Sequence, residues 1–256
     1  MAGRRQLIRI LLLAACGVGL FVGLGSWQLE RRSWKLRLIE QVGRHLAADP
    51  VPAPGPPAWR SLSGDDAYLR VRSCGDYLND RETLVQAVTE RGAGFWVLTP
   101  LRTDRGFTVL VNRGFVPPER AAPNARAEAQ VQQGCVVGLL RLSEPRGGFL
   151  RANRPADDRW YSRDVAAIAA ARGLTAAGAA GPAAVAPYFI DADATPNAGG
   201  YPVGGLTVVQ FRNAHLQYAL TWFALAALVV LGAAVAARNE ATGPDTRTRP
   251  RGSPAR

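Results

Sequence analysis

Four side chains near the end of the chain have the types and spacing to hold a flat aromatic ligand. In Asn213-Ala214-His215-Leu216-Gln217-Tyr218-Ala219-Leu220-Thr221-Trp222-Phe223, His215, Tyr218, Ala219 and Trp222 fall at i, i+3, i+4 and i+7, which is one face of a helix. A neutral imidazole nitrogen can ligate haem iron, a small residue lets a macrocycle approach, and two rings can lie against it. The same residues have a plainer use. Tyr and Trp anchor helices at membrane interfaces, and a His at the edge of a span can hydrogen-bond water or headgroups. The residues alone leave both readings open. Trp27 is divided in the same way between a ligand wall and an interfacial anchor. Arg113 is divided between pairing with a carboxylate and simple solvation.

Other chemistries lack their residues. One Lys, Lys35, and no Gly-Lys-Ser/Thr string rule out a P-loop, and there is no G-x-S-x-G elbow or H-E-x-x-H helix. His45 and His215 are the two histidines, so a two-histidine metal site needs both. Twenty acids are present and none is singled out as a catalytic pair, so the chain reads as a non-enzyme. Cys16, Cys74 and Cys135 contain no C-x-x-C pair and offer no thiol-redox or copper-thiolate motif. Cys74 and Cys135 can pair in an oxidising compartment, but their separation says nothing about geometry.

The elements that must position His215 begin with two apolar runs. Ile8 to Trp27 and Leu216 to Ala237 each approach the ~20 residues that cross a bilayer. Gly17, Gly19 and Gly23 lie inside the first, where Gly19 and Gly23 mean close helix packing. Arg4-Arg5 and Leu13-Ala14-Ala15-Cys16 have the outline of export and lipoprotein signals, yet the apolar run continues through Val18 to Trp27, as a span does. Eight arginines against two acids flank the spans on the tail side, giving +6 of the net +11. The positive-inside rule therefore puts both termini in the cytoplasm and the central domain outside. The Arg-for-Lys bias reads as GC-rich coding rather than a nucleic-acid patch. With seven residues before the first span, too few for an organelle presequence, a bacterial inner membrane is expected, with the central domain periplasmic.

The expected organisation is a cytoplasmic tail over 1–7, a first span over 8–27 and a juxtamembrane helix over 28–47. An extracytoplasmic β-rich domain follows over 48–213, then a second span over 214–237 and a disordered cytoplasmic tail over 238–256. The fold class is thus an α+β membrane protein, two transmembrane helices flanking an antiparallel β domain of about six strands. Its strands are read at Tyr68–Arg72, Thr83–Val88, Cys135–Leu142 and Thr207–Phe211, with a hairpin of Phe95–Leu98 and Phe107–Val111. Asn112-Arg113-Gly114 reads as a turn. Asp164 to Ala171 reads as a short helix capped by Asp164 and stopped at Gly173. Asp49 to Pro57 and the Ala-rich run Leu174 to Pro187 read as linkers, and His45 as a solvated residue of the juxtamembrane helix.

Four strings carry a resemblance. Gly25-Ser26-Trp27-Gln28-Leu29 with Arg32 and Lys35, Val111-Asn112-Arg113-Gly114-Phe115-Val116-Pro117, Trp160-Tyr161-Ser162-Arg163-Asp164, and Asn213 to Phe223 resemble, in order and spacing, the Surfeit locus protein 1 family. The resemblance covers nearly the whole chain. It implies a membrane-bound assembly factor for cytochrome c oxidase, a chaperone of the respiratory chain that handles haem A. It further implies the oxidase catalytic subunit and haem A synthase as partners, and His215 as the metal ligand, with Tyr218, Trp222, Trp27 and Arg113 about the cofactor. One departure is Ala214, where the family usually has a second Asn. A scaffold that docks the oxidase without binding haem is the alternative.

Overall fold

The structure is a computed structural model that describes residues 2–129, 131–148, 150–174 and 184–242. The chain order is α1 (Ala2–Ala47), β1 (Val51–Pro52), β2 (Arg70–Tyr77), β3 (Thr83–Thr89), β4 (Gly92–Thr103) and β5 (Thr108–Val116). Then come β6 (Gln133–Leu142), α2 (Val165–Ala171), β7 (Val185–Ala192) and α3 (His215–Thr242). Two units separate, Met1–Ile39 with Phe211–Arg256 and Glu40–Gln210.

The first unit is helical. α1 is one unbroken helix of 46 residues that joins the expected span and juxtamembrane segment. It has no internal proline and stops before Asp49-Pro50, since the residue before Pro disfavours helical backbone. α1 and α3 are both long and apolar enough to cross a membrane. They meet along a seam. Phe21 stacks on Trp222 with centroids 5.7 Å apart, and a Cβ on Gly25 would lie 2.6 Å from Phe223 Cε1. Gln28 reaches His215, and the Lys35 ammonium sits 5.0 Å from the Phe211 ring centroid. On α1 these positions advance by four, three and seven residues. On α3 the stripe runs through His215, Ala219, Trp222 and Ala226, with Ala219 and Ala226 buried. Alternating steps of three and four are the heptad register of helices packed at a small crossing angle. Gly25 on α1 and Ala219 and Ala226 on α3 let the backbones approach, whereas Gly19 and Gly23, expected to mark close packing, have nothing described within 4 Å of an added Cβ.

The second unit is a mixed sheet that closes on itself. Its order is β1-β2-β6-β7-β5-β4-β3, with a further pairing of β2 to β4. Strands β2, β6, β7, β5 and β4 therefore form a ring, and β1 and β3 extend its wall. Closure happens where β2 leaves β6 and pairs Gly75, Asp76 and Tyr77 with Thr103, Arg102 and Leu101. A Cβ at Gly75 would stand 2.0 Å from the Arg102 carbonyl oxygen, so only glycine allows this crossing. Val71, Tyr77, Leu101, Val109, Val111, Val136, Leu140, Tyr188 and Ile190, drawn from all five ring strands, fill the interior. Outside, Leu98, Leu110 and Phe189 are covered by Trp160 and by Val165 and Ile168 of α2. β5 is thus buried on both faces.

The β-rich centre, the β4–β5 hairpin, the Thr83 strand and the Cys135 strand are as expected. So is α2, where the Asp164 side chain accepts from Ala167 N and Gly173 has φ of 63°. Several expectations need correction. The sheet is not purely antiparallel, because β1–β2 and β5–β7 run parallel. Asn112-Arg113-Gly114 is no turn but the middle of β5, where Gly114 lets the Val203 carbonyl approach. Thr207–Phe211 is not a strand. The linker read at Leu174–Pro187 ends earlier, since β7 starts at Val185, and residues 175–183 lie outside the described set. Asp49–Pro57 holds the short strand β1 and the start of a 3-10 turn, Pro56–Ser61. α3 continues to Thr242, and the rest of the tail lies outside the described residues.

Candidate functional site

His215 is the first residue of α3, and its ring is oriented from α1. Its Nδ1 lies 2.7 Å from Gln28 Oε1. An amide oxygen only accepts, so Nδ1 carries the proton and Nε2 keeps its lone pair. Helix periodicity could not reveal this partner, which lies 187 residues away in sequence.

The other residues of the expected face divide. Ala219 is 1% exposed and is part of the helix seam, so protein already covers it. Trp222 is half-buried against Phe21. Tyr218, at 55%, and Trp27, at 51%, are open. Of the residues expected at the site, this unit therefore leaves an oriented imidazole and two aromatic side chains, Tyr218 and Trp27, accessible. Among the described residues no group of three or more His, Cys, Asp or Glu could hold a metal ion. One imidazole can supply one bond to a metal already held by other ligands.

Arg113 belongs to the β unit and is described there. It is buried rather than solvated. Its guanidinium carbon lies 5.1 Å from the Tyr77 ring centroid, and Nη2 donates to Asn197 Oδ1 at 2.9 Å. Burial pulls the guanidinium pKa down, opposed by Tyr77 and Glu82, while Arg126 adds to the lowering. His45 is not a free surface residue either, since its Nδ1 is 3.0 Å from the Ala67 carbonyl oxygen.

One cluster has no signal in the sequence. Asp191, 2% exposed, accepts from Asn112 Nδ2 at 2.7 Å, Arg141 Nη1 at 3.1 Å, Arg163 Nη1 at 3.1 Å and Thr207 Oγ1 at 3.0 Å. Asn112 and Arg163 come from two different motif strings, so those strings meet at a buried carboxylate. Arg163 also binds Glu144, and these two acids hold its charge, with its pKa raised despite burial. Four donors converging on one buried acid form a clasp across β5, β6, β7 and the Thr207 segment. This chemistry positions strands. A cleft of about 810 Å³ beside Tyr77, Phe95 and Trp160 contains none of the expected site residues.

Comparison with known proteins agrees with the four strings. The model of the SURF1 family matches residues 15–227. The chain is 36% identical over 221 residues to human Surfeit locus protein 1, covering 80% of this chain and 70% of that one. It is 36% identical over 223 residues to Surfeit locus protein 1 of Takifugu rubripes, covering 80% and 87%. A SURF1-like protein of Monosiga brevicollis is 37% identical over 224 residues, covering 81% and 80%. Match length and identity together establish that the chain belongs to the SURF1 family.

Proposed function

We propose that this protein is a membrane-anchored, non-catalytic assembly factor for haem-copper cytochrome c oxidase, holding haem A through His215 and presenting it to the catalytic subunit. The observation that carries the reading is the hydrogen bond from His215 to Gln28. A ligating imidazole generally donates its other nitrogen to a fixed acceptor, which sets tautomer and ring orientation. Haem A, as cargo, would be held at its iron by His215 Nε2. Gln28 holds the ring, while Tyr218 and Trp27 offer open apolar surface to the cargo. The family supports the oxidase-assembly role, and haem A synthase is the proposed further partner.

The topology in this proposal has both tails in the cytoplasm and the β unit outside, from the tail arginines. The Cys74–Cys135 disulfide supports an oxidising compartment for that unit. A bacterial inner membrane is the proposed site. Protein purified from cells that make haem A should show its absorption spectrum, and His215→Ala should remove it while insertion persists. Equal haem in parent and variant, at equal abundance, overturns the ligand assignment.

A second reading is favoured by the seam itself. Ala219 and Trp222 are already used in packing α3 on α1, as a pure scaffold would need. Under that reading the purified protein is haem-free and still co-purifies with the oxidase.

A further inference from the structure

The link between β2 and β6 carries chemistry separate from the His215 site. Cys74 and Cys135 are directly opposite in the antiparallel ladder and disulfide-bonded, with Cα atoms 4.0 Å apart. The Cys74 carbonyl accepts instead from Asp104 N at 3.0 Å, which fits a pair whose own backbones do not exchange hydrogen bonds. Pairing from Arg70↔Leu139 to Asp76↔Gln133 holds the strands on either side. Strand register therefore does not depend on the covalent bond.

The sulfurs differ in access and in charge. Cys135 is exposed and Cys74 is half-buried. Arg72, two residues before Cys74 and so on the same face of β2, brings Nη2 to 4.0 Å from Cys135 Sγ. A cation beside a thiol favours its thiolate. Exposed cystines are the ones that exchange, whereas buried ones resist reduction.

We propose that Cys74–Cys135 is a thiol–disulfide exchange site, reduced in the folded β unit by a dithiol of its compartment and re-formed, by the same steps reversed, by that dithiol's disulfide form. A thiolate of the dithiol attacks Cys135 Sγ, the open sulfur. The S–S bond breaks and its electron pair leaves on Cys74 Sγ, which takes a proton. The second thiol of the dithiol, losing its proton to solvent, attacks its own sulfur in the mixed disulfide and expels Cys135 as a thiolate beside Arg72. The dithiol is oxidised to its disulfide, and the cysteine pair gains two electrons. The exchange is independent of haem at His215.

The test uses the full chain in detergent micelles, carrying Cys16→Ala to remove the remaining thiol. Dithiothreitol is the dithiol probe, free thiols are tagged with maleimide, and near-ultraviolet circular dichroism reports packing. Both thiols should appear with the dichroism intact, and limiting glutathione should be found on Cys135. Arg72→Gln should slow Cys135 alkylation at neutral pH, by about tenfold for each unit its thiol pKa rises. Thiols that appear only with loss of the dichroism overturn the proposal, as does glutathione on Cys74 or an unchanged rate in Arg72→Gln. A Cys74→Ser, Cys135→Ser protein that fails to fold returns the bond to a structural role.

Discussion

Gln28 Oε1 and His215 Nδ1 stand 2.7 Å apart across two helices, so a residue of the first motif string sets the tautomer of a residue in the last. This relationship gives the ligand proposal for His215 its test. An interfacial His needs no protein acceptor, whereas a metal-bound His usually has one. Gln28→Ala should leave both helices inserted and weaken haem retention by about 10- to 100-fold, the usual cost of removing such a partner. Titration of the variant with haem, followed at the Soret band, measures it. An affinity equal to that of the parent removes Gln28 from the site.

The seam predicts a second outcome. Gly25 has no side chain where Phe223 packs, and a Cβ there would come within 2.6 Å of the ring. Gly25→Val should push the helices apart, and Phe223→Ala in the same chain should bring them back. Gly17 faces Val229, with a Cβ at the former 3.8 Å from Val229 Cγ1. Cysteines at 17 and 229, in a Cys16→Ala chain, should therefore cross-link under mild oxidation. Their yield should fall in Gly25→Val and recover in the double variant. An unchanged yield in Gly25→Val would show that the helices do not meet at this register.

Asp191 predicts the largest loss of stability in the β unit. Asp191→Asn keeps the shape but leaves the part-buried Arg141 and Arg163 beside a neutral amide, with Glu144 as their remaining acid. Breaking a buried ion pair from one side typically costs ~3–5 kcal/mol. The Arg44–Glu40 pair is a fair comparison, because both side chains are mostly exposed, and Arg44→Ala should change stability by less than about 1 kcal/mol. Denaturant titration of both full-length variants gives the ranking. Equal midpoints would mean that the clasp contributes nothing beyond a surface pair.

The helices were legible because their apolar runs are long, and the hairpin and α2 because their turn and cap residues are local. What was lost depends on partners distant in sequence. Tyr218 was placed with His215 on periodicity, but the seam steps from His215 to Ala219 to Trp222 and leaves Tyr218 open; the stripe is defined only by α1. β7 follows an Ala- and Gly-rich run and is buried on both faces, so it lacks the alternation that betrays a half-exposed strand. Asn112 and Gly114 carry turn chemistry that β5 uses otherwise. Asn112 binds Asp191, and Gly114 admits the Val203 carbonyl. Thr207 to Phe211 has strand composition and no strand partner, while the Thr207 hydroxyl is taken by Asp191. Asp191 itself had no signal, since its four donors come from four separate segments.

The buried tyrosines predict how the β unit responds to alkali. Tyr188 is fully buried inside the barrel, and its hydroxyl donates to the Pro54 carbonyl at 2.7 Å. Burial pushes its pKa far above that of a free phenol, and Arg105 only partly opposes the rise. Tyr77 is raised in the same way, with Arg113 opposing. A raised pKa means that the folded state keeps its proton where the unfolded chain has lost it. Stability from these groups is therefore intact below about pH 10, the ordinary phenol value, and falls as pH climbs from there toward the folded values. Phenolate absorbance from these two residues should appear above pH 10, the ordinary phenol value, together with loss of near-ultraviolet dichroism. Tyr188→Phe should flatten the alkaline fall while lowering stability at neutral pH by about 1 kcal/mol for the lost hydrogen bond. If Tyr188 and Tyr77 ionise near pH 10 with the dichroism unchanged, Tyr188 is not sealed in the barrel and the closed ring of strands is wrong.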